Sequence, residues 1–257
     1  MQRKMAQPPT KRILRRAAIG FCVFYAVLCF VVFIAQRTLL FLPTHNVPAS
    51  RLDPCVIEGV TVGYYREMAA PNAVWLMMHG NAGQASDRDY VLEHLSADDA
   101  LYVLEYPGYG ARAGSPSRSS IDAAARQAYN NLQRLYPHSS VCVIGESIGS
   151  GPAAMLATSQ LPPDKIVLIT PFDTLYRVAA SRFYFLPVWL LLLDRWDNAA
   201  ALRDYQGEIE IYAAKADTVI PMRHASSLAE VCKNAKFNVI PGGHNDWSLG
   251  GNVMIAR

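Results

Sequence analysis

The sequence predicts an α/β fold in which one N-terminal transmembrane helix precedes a mostly parallel, doubly wound sheet with a small helical cap. Three observations support this prediction. An uncharged apolar run of 19 residues occupies positions 17–35. From residue 56 onward, short apolar runs alternate with amphipathic stretches, which is typical of strand–helix–strand crossovers in a parallel sheet. A Gly-x-Ser-x-Gly motif at residues 145–149 lies directly between such a run and a helix-compatible stretch.

Charge is distributed unevenly along the 257 residues. The chain holds 24 Lys and Arg against 21 Asp and Glu, a net charge of +3. Residues 1–16 contain six basic side chains and no acidic one, so the rest of the chain holds 18 basic against 21 acidic residues. Basic charge confined to one terminus argues against a nucleic-acid-binding protein, and a hydrophobic content of 51% excludes intrinsic disorder. The six basic residues are Arg3, Lys4, Lys11, Arg12, Arg15 and Arg16.

Residues 17–35 have the length and composition of a membrane-spanning helix. At about 1.5 Å per residue the run extends about 30 Å, which is the thickness of the bilayer core. A cleaved signal peptide has a shorter apolar core of about 7–15 residues, and residues 36–43 offer no small-residue cleavage site. A buried core helix is the third alternative, but a run without a polar face would need protein on all sides. We therefore expect a membrane anchor.

The basic residues before the apolar run predict its orientation. Under the positive-inside rule, a basic tail over residues 1–16 stays in the cytoplasm and the C-terminal domain lies across the membrane. That far side is the periplasm in a bacterium or a lumen in a eukaryote. The expected partner of residues 17–35 is the lipid bilayer. Residues 36–55 contain three prolines and predict an extended connector to a domain over residues 56–257.

The five cysteines do not form a recognisable framework. Cys22 and Cys29 fall in the apolar run, and Cys142 falls in a predicted strand. Cys55 and Cys232 are the candidate disulfide partners in an oxidising compartment, and the sequence leaves open whether they pair. No spacing resembles a zinc site.

Residues 56–257 show the alternation expected of one α/β domain. The apolar runs are nearly continuous, as in strands buried on both faces of a parallel sheet. Strands are predicted at 56–65 (one or two strands), 73–78, 100–104, 141–144, 165–169, 208–212 and 236–240. Helices are predicted at 86–96, 120–136, 148–160 and 222–234.

One segment, residues 172–205, interrupts this alternation. Its stretch 183–193 is apolar and uncharged, but it has only 11 residues and includes Pro187, so it is too short to cross a bilayer. We therefore expect residues 172–205 to form a small helical cap that packs over the sheet.

Ser147 is the candidate nucleophile. It is the central residue of Gly145-Glu146-Ser147-Ile148-Gly149, which follows the predicted strand 141–144. A Gly-x-Ser-x-Gly motif alone is common by chance, and the alternative is an ordinary glycine-rich turn. Between a strand and a helix, however, the motif is typical of a nucleophile elbow, a strained turn that exposes the serine hydroxyl.

His244 is the candidate general base for this serine. It lies beside Gly242 and Gly243, directly after the predicted strand 236–240. A serine hydroxyl is a weak nucleophile until a base accepts its proton. In a fold of this kind the chain order is serine, acid, histidine, and the position of His244 near the C-terminus fits that order.

Asp217 is the candidate acid that orients the histidine. It follows the predicted strand 208–212 and precedes His244 by 27 residues, which leaves room for one helix and one strand. Its expected role is to hold the imidazole tautomer and to stabilise the imidazolium. Asp173 is the main alternative, although Asp173 is also compatible with a helix N-cap. Asp246 is too near His244 in sequence to be preferred.

The reaction also needs donors for a tetrahedral oxyanion. The backbone N–H of Ile148, directly after the serine, is the first candidate. The second is the N–H of Asn81, with Ala82 as the alternative, in the loop after the predicted strand 73–78. His79 in the same loop is expected to be structural. Structural or solvated roles are the default for His45, His94, His138 and His224.

Five motifs together resemble those of serine hydrolases of the α/β-hydrolase superfamily. Within it, the chain is similar to the single-pass, membrane-anchored branch that includes protein depalmitoylases and many uncharacterised bacterial hydrolases. The resemblance covers residues 37–257 and implies nucleophile Ser147, acid Asp217 and base His244. Two departures are Glu105, where an aspartate is expected, and the 13 residues after His244, which predict a short or frayed closing helix. The motifs are HGNAG (79–83), EYPGYG (105–110), GESIGSG (145–151), KADTVIP (215–221) and GGHND (242–246).

The sequence therefore predicts a membrane-anchored serine hydrolase that cleaves ester or thioester bonds through an acyl-enzyme on Ser147. Acylated lipids or lipoproteins are the expected substrates, because an anchor raises the local concentration of lipid-borne acyl groups. The cap could line an acyl pocket, rest on the membrane or only complete the core. A peptidase of short peptides and a non-catalytic anchored scaffold are the alternatives. No motif implies a metal or an organic cofactor, and the oligomeric state is left open.

Overall fold

The strands and helices of the chain lie in the order that the sequence predicts. In this computed structural model, residues 9–46, 49–250 and 253–257 are described. Arg3 and Lys4 of the predicted basic tail, residues 47–48 of the predicted connector and Gly251 lie outside those ranges. Strands within the described ranges are β1 (Leu42–Pro43), β2 (Asp53–Ile57), β3 (Val60–Arg66), β4 (Ala73–Met78), β5 (Ala82–Gly83), β6 (Ala100–Leu104), β7 (Ser140–Glu146), β8 (Lys165–Ile169), β9 (Glu208–Ala214) and β10 (Ala235–Ile240). Helices there are α1 (Pro9–Leu40), α2 (Arg118–Leu135), α3 (Ser150–Leu156), α4 (Leu175–Arg182), α5 (Val188–Leu191), α6 (Asn198–Leu202) and α7 (Arg223–Val231), with 3₁₀ helices at Ala85–His94 and Ser147–Gly149.

Eight of these strands form one mostly parallel sheet in the order β10-β9-β8-β7-β4-β6-β3-β2. Only the pairs β2–β3 and β3–β6 are antiparallel among the described pairs of this sheet. All six residues of β4 are buried, because apolar clusters cover both faces of the sheet. The predicted doubly wound α/β fold is therefore confirmed. The predicted strand region 56–65 belongs to two strands joined by a tight turn at Glu58 and Gly59, both with positive φ.

The helices differ more from the predicted pattern than the strands do. The stretch predicted at 86–96 forms the 3₁₀ helix Ala85–His94, which is interrupted at Arg88 by non-helical backbone angles. The helix predicted at 148–160 is divided into a 3₁₀ turn and the shorter α3. By contrast, α2 has a capping box in which Ser117 and Ser120 exchange hydrogen bonds, and its bounds agree closely with 120–136 because such a cap fixes where a helix begins.

The N-terminal helix α1 is longer than the predicted span 17–35. Its 31 residues Thr10–Leu40 include a stretch long and apolar enough to cross a membrane, and the helix fits a single-pass membrane anchor. Residues 36–40, assigned by the sequence to an extended connector, instead continue the helix. The reason is that Gln36 Nε2 donates to the carbonyl of Leu191 at 3.0 Å, and Arg37 forms an ion pair with Asp194. After α1, β1 pairs with β5 in parallel.

The cap consists of α4, α5 and α6 within the predicted region 172–205. The helix α6 packs on α3, and α5 packs beside α1. Trp196 is buried beneath the cap, where its indole N–H donates to Asp122 at 2.8 Å. Several large apolar side chains of the cap are nevertheless exposed. These are Tyr176, Phe183, Tyr184, Phe185, Trp189, Leu190 and Leu193.

Cys55 and Cys232 are both free thiols. Cys55 lies on β2 at one edge of the large sheet. Cys232 ends α7, which contacts β9 and β10 at the opposite edge. The width of the sheet separates the two residues, so they cannot form a disulfide with each other.

Candidate active site

Ser147 occupies a strained turn at the carboxyl end of β7. Its φ is +52°, a left-handed conformation that costs a non-glycine residue energy and is concentrated at functional sites. The two glycines of the motif are sterically required. A Cβ on Gly145 would lie 2.7 Å from the Cβ of Ala153, and one on Gly149 would lie 2.1 Å from the carbonyl oxygen of Met78. The motif therefore packs as a nucleophile elbow does.

The structure brings together the three residues that the sequence singles out as nucleophile, base and acid. His244 Nε2 lies 2.8 Å from Ser147 Oγ, and His244 Nδ1 lies 2.7 Å from Asp217 Oδ2. The other carboxylate oxygen of Asp217 accepts the backbone N–H groups of Val219 and Ile220, both at 2.8 Å. Because a carboxylate can only accept hydrogen bonds, Nδ1 is the donor to Asp217, and Nε2 is the ring nitrogen that faces the Ser147 hydroxyl.

Asp173, the alternative acid, has a different histidine partner. Its Oδ1 lies 2.8 Å from His224 Nδ1, and its carboxylate also pairs with Arg177. Burial opposes ionisation of Asp173, but the hydrogen bonds from His224 and from the N–H of Thr174 outweigh it and lower its pKa. The N-cap of α4 is Thr174 and not Asp173. Sequence reasoning missed this buried pair because no motif surrounds His224.

The loop that carries the predicted oxyanion donor Asn81 lies beside the serine. A Cβ on Gly80 would lie 3.8 Å from the Cβ of Ser147. Asn81 is held from two sides, because its Nδ2 donates to the carbonyl of Leu40 at 3.0 Å and its carbonyl accepts the hydroxyl of Tyr109 at 2.8 Å. Ile148 directly follows Ser147 and is buried. The assignment of the Ile148 and Asn81 N–H groups as oxyanion donors stays a prediction.

His79, in the same loop, is completely buried. Its Nδ1 lies 2.7 Å from the carbonyl oxygen of Gly80, and its ring stacks on Tyr106 with centroids 4.2 Å apart. Glu105 lies 3.8 Å from His79 Nε2 and accepts the N–H of Ala85 at 3.1 Å. Both side chains hold the loops around the serine in place.

Glu146 is a buried carboxylate that sequence reasoning did not assign to the site. It accepts the backbone N–H of Gly80 at 3.0 Å, the indole N–H of Trp247 at 2.9 Å and the hydroxyl of Tyr90 at 3.2 Å. Burial opposes its ionisation, but the Arg88 charge and the hydrogen bonds from Trp247 and Gly80 outweigh burial and lower the pKa of Glu146. The signal that could have identified Glu146 as part of the site is its charge, because the other residues of the motif 145–149 are small or apolar.

The tail after His244 contains no helix in residues 245–250 or 253–257, in place of the short or frayed closing helix that the sequence predicts. Instead, Ile255 forms a parallel bridge with Leu95, and His94 Nδ1 lies 2.9 Å from the carbonyl oxygen of Val253. These contacts and the buried Trp247 hold the histidine loop. No group of three or more potential metal ligands occurs among the described residues.

The chain is similar to several curated proteins, although no protein-family model matches it. The uncharacterized protein Rv2307c of Mycobacterium tuberculosis is 30% identical over 95% of this chain and 92% of its own length. Lysophosphatidylserine lipase ABHD12 of Danio rerio is 25% identical over 75% of this chain and 60% of its own length. Human alpha/beta hydrolase domain-containing protein 17B is 27% identical over 72% of this chain and 65% of its own length.

Solved structures of other proteins share the fold. The Pyrococcus furiosus esterase Pf2001 superimposes with a TM-score of 0.61 at 14% identity, over 79% of this chain and 91% of that one. TT1662 from Thermus thermophilus superimposes with a TM-score of 0.59 at 16% identity, over 79% of this chain and 94% of that one. At such low identity these structures show the fold alone.

Proposed function

The chain belongs to the α/β-hydrolase superfamily, and from that premise we propose that it is a membrane-anchored serine hydrolase of acyl esters or thioesters. One observation carries the proposal. The hydroxyl of Ser147 lies within hydrogen-bond reach of His244, which in turn lies within reach of Asp217. An activated nucleophile is recognised by this relay of serine, base and orienting acid.

In the proposed reaction, Ser147 Oγ attacks the acyl carbonyl carbon while its proton passes to His244 Nε2. Asp217 stabilises the resulting imidazolium. The C–O or C–S bond to the leaving group then breaks, and the leaving alcohol or thiol takes the proton from His244. Water, activated by the same histidine, attacks the acyl-enzyme and releases the carboxylic acid. The N–H groups of Ile148 and Asn81 would donate to the oxyanion, and each such donor contributes about 10²- to 10³-fold to kcat.

We further propose that α1 crosses the bilayer once, with its N-terminus in the cytoplasm and the hydrolase domain on the far side. Support comes from the basic residues at the start of α1 and the apolar stretch that follows them. The name of the relative ABHD12 denotes a lipase of lysophosphatidylserine. Together with the anchor, this similarity favours acylated lipids as the substrate class.

The proposal is tested with the full chain in detergent micelles and a fluorophosphonate probe. We expect labelling of the unmodified protein and none of Ser147→Ala. The matched control is Ser119→Ala, because Ser119 is an exposed serine on α2 and should label like the unmodified protein. Equal labelling of Ser147→Ala would disprove the assignment. Hydrolysis of p-nitrophenyl esters, acyl thioesters and aminoacyl anilides, measured side by side, then distinguishes an esterase or thioesterase from a peptidase.

A further inference from the structure

An apolar cavity of about 270 Å³ lies between α1 and the cap. Leu28, Val32 and Leu40 of α1 form one wall, and cap residues including Ala179 and Leu192 form the other. The volume corresponds to roughly nine water-sized groups at about 30 Å³ each, and a methylene group is of similar size. The cavity therefore suits a flexible hydrocarbon chain.

The polar side chain in the lining, Gln36, has its hydrogen bonds satisfied by the protein. Its Nε2 donates to the carbonyls of Phe33 and Leu191, and its Oε1 accepts the N–H of Leu193 at 2.8 Å. A polar ligand would lose its hydration without gaining a partner from Gln36. The lining therefore favours an apolar occupant over a polar one.

The walls of the cavity are fixed to each other along α1. The hydroxyl of Tyr25 donates to the carbonyl of Phe185 at 2.7 Å, and Arg37 Nε lies 2.9 Å from Asp194 Oδ2. These two contacts are 12 residues apart, about 18 Å along a helix. If α1 crosses the bilayer, the part of the cap beside Tyr25 is immersed in lipid. The exposed aromatic residues Tyr184 and Trp189 then face acyl chains and not water.

One end of the cavity lies near the loop of the predicted oxyanion donor Asn81. Leu40 lines the cavity, and its carbonyl oxygen accepts Asn81 Nδ2 at 3.0 Å. Asn81 follows Gly80, on which a Cβ would lie 3.8 Å from the Cβ of Ser147. The other end, at Leu28, lies deeper in the apolar part of α1. The cavity thus extends along α1 from Leu40, which contacts the Asn81 loop, to Leu28 in the apolar part of the helix.

We propose, building on the proposed function, that this cavity is the acyl-chain site and that it takes one fatty acyl chain of a lipid directly from the adjacent leaflet. In a bilayer the ester of a lipid lies near the polar boundary, and its chain points toward the hydrocarbon interior. The cavity has the same direction, with Leu40 at the reactive end and Leu28 at the inner end. A chain therefore enters sideways from the membrane without first passing through water.

Binding is tested independently of catalysis with the full-length Ser147→Ala protein in phosphatidylcholine nanodiscs. The probe is decanoic acid, whose chain matches the cavity volume, with a diazirine near its terminal carbon, cross-linked by light and mapped by peptide mass spectrometry. We expect adducts on cavity residues of both walls, such as Leu28 and Leu192. Adding Ala179→Trp, which fills the cavity, should lower their yield at least fivefold. Ala180→Trp is the matched control, because this neighbour on α4 is not part of the lining, and it should leave the yield unchanged.

Adducts confined to lipid-facing residues such as Phe24 and Trp189, or a yield that Ala179→Trp does not lower, would overturn the acyl-chain site. Because this experiment uses the Ser147→Ala variant, its result does not depend on whether the protein hydrolyses esters.

A second experiment uses chains that keep Ser147. The ratio of kcat/KM for octanoyl over acetyl p-nitrophenyl esters should be at least tenfold lower in Ala179→Trp than in Ala180→Trp. Absence of any ester hydrolysis together with positive cross-linking would refute the proposed function and leave the lipid site intact.

Discussion

The indole N–H of Trp247 donates a hydrogen bond of 2.9 Å to Glu146, the residue directly before Ser147. Trp247 is three residues beyond His244, so this bond joins the histidine loop to the nucleophile turn. The same carboxylate accepts the N–H of Gly80, which joins the loop of the predicted oxyanion donor to both. Glu146 therefore positions three segments of the site around one buried negative charge.

Replacing Glu146 with glutamine should lower kcat more than it changes KM. An amide can still accept from Trp247, but its NH₂ group then faces the N–H of Gly80, and a buried donor without an acceptor costs about 1–3 kcal/mol. We expect kcat for p-nitrophenyl octanoate to fall about tenfold to a hundredfold while KM changes less than about threefold. Glu230→Gln, at an exposed position on α7, is the control. The concentration of active sites is counted with the fluorophosphonate probe. If Glu146 were purely structural, the variant would contain fewer active sites, but kcat per active site would be unchanged.

Replacing Asp217 with asparagine should mainly lower kcat, whereas replacing Asp173 with asparagine should mainly lower the Tm. Asp217→Asn removes the acceptor that holds the His244 tautomer, so kcat should fall about 10³- to 10⁴-fold with little change in thermal stability. Asp173→Asn should instead lower the Tm by several degrees, because it weakens the buried pair with His224. Its kcat should stay within about tenfold of the unmodified enzyme. Steady-state kinetics and thermal unfolding of both variants check this, and a larger kcat loss in Asp173→Asn would reverse the assignment of the acid.

Stability should decline in acid because Asp173 and Glu146 both have lowered pKa values in the folded protein. A group whose folded pKa lies below its unfolded pKa contributes stability above the unfolded value of about 4 and loses it as pH falls through the folded pKa. We expect the Tm to be steady from pH 7 to about 5 and to fall below about pH 4. Asp173→Asn should have a lower Tm at pH 7 and a smaller decline in acid. An equally steep decline in that variant would show that Asp173 is not responsible.

Adding a single methyl group at Gly149 should prevent normal packing of the nucleophile turn. A Cβ there would lie 2.1 Å from the carbonyl oxygen of Met78, and backbone atoms cannot move aside as a flexible side chain can. We expect Gly149→Ala to lower the Tm by about 10 °C or more, or to prevent folding. Gly20→Ala meets no atom within 4 Å and should leave the Tm within about 2 °C. Scanning fluorimetry of the two purified variants distinguishes them, and equal Tm values would contradict the packing argument.

The strands and the serine turn could be predicted because their signals are local. Strands buried on both faces need continuous apolar runs, and the bounds predicted for β4, β6 and β8 are those observed. The 3₁₀ form of Ala85–His94 could not be predicted in this way. The helix is interrupted at Arg88, whose side chain contacts Tyr90 and lies near Glu146, and such contacts leave no periodic pattern in the sequence.

The sequence by itself determined the α/β class, an apolar N-terminal run of membrane-spanning length and the order of Ser147, Asp217 and His244 along the chain. Each depends on the composition or spacing of nearby residues. Only the tertiary structure decided that Asp173 pairs with His224, that Glu146 binds Trp247 and that Tyr25 of α1 binds the cap. These partners are 51, 101 and 160 residues apart in the chain. A hydrogen bond at such separation is selected by how whole elements pack, and the residues around either partner carry no record of the other.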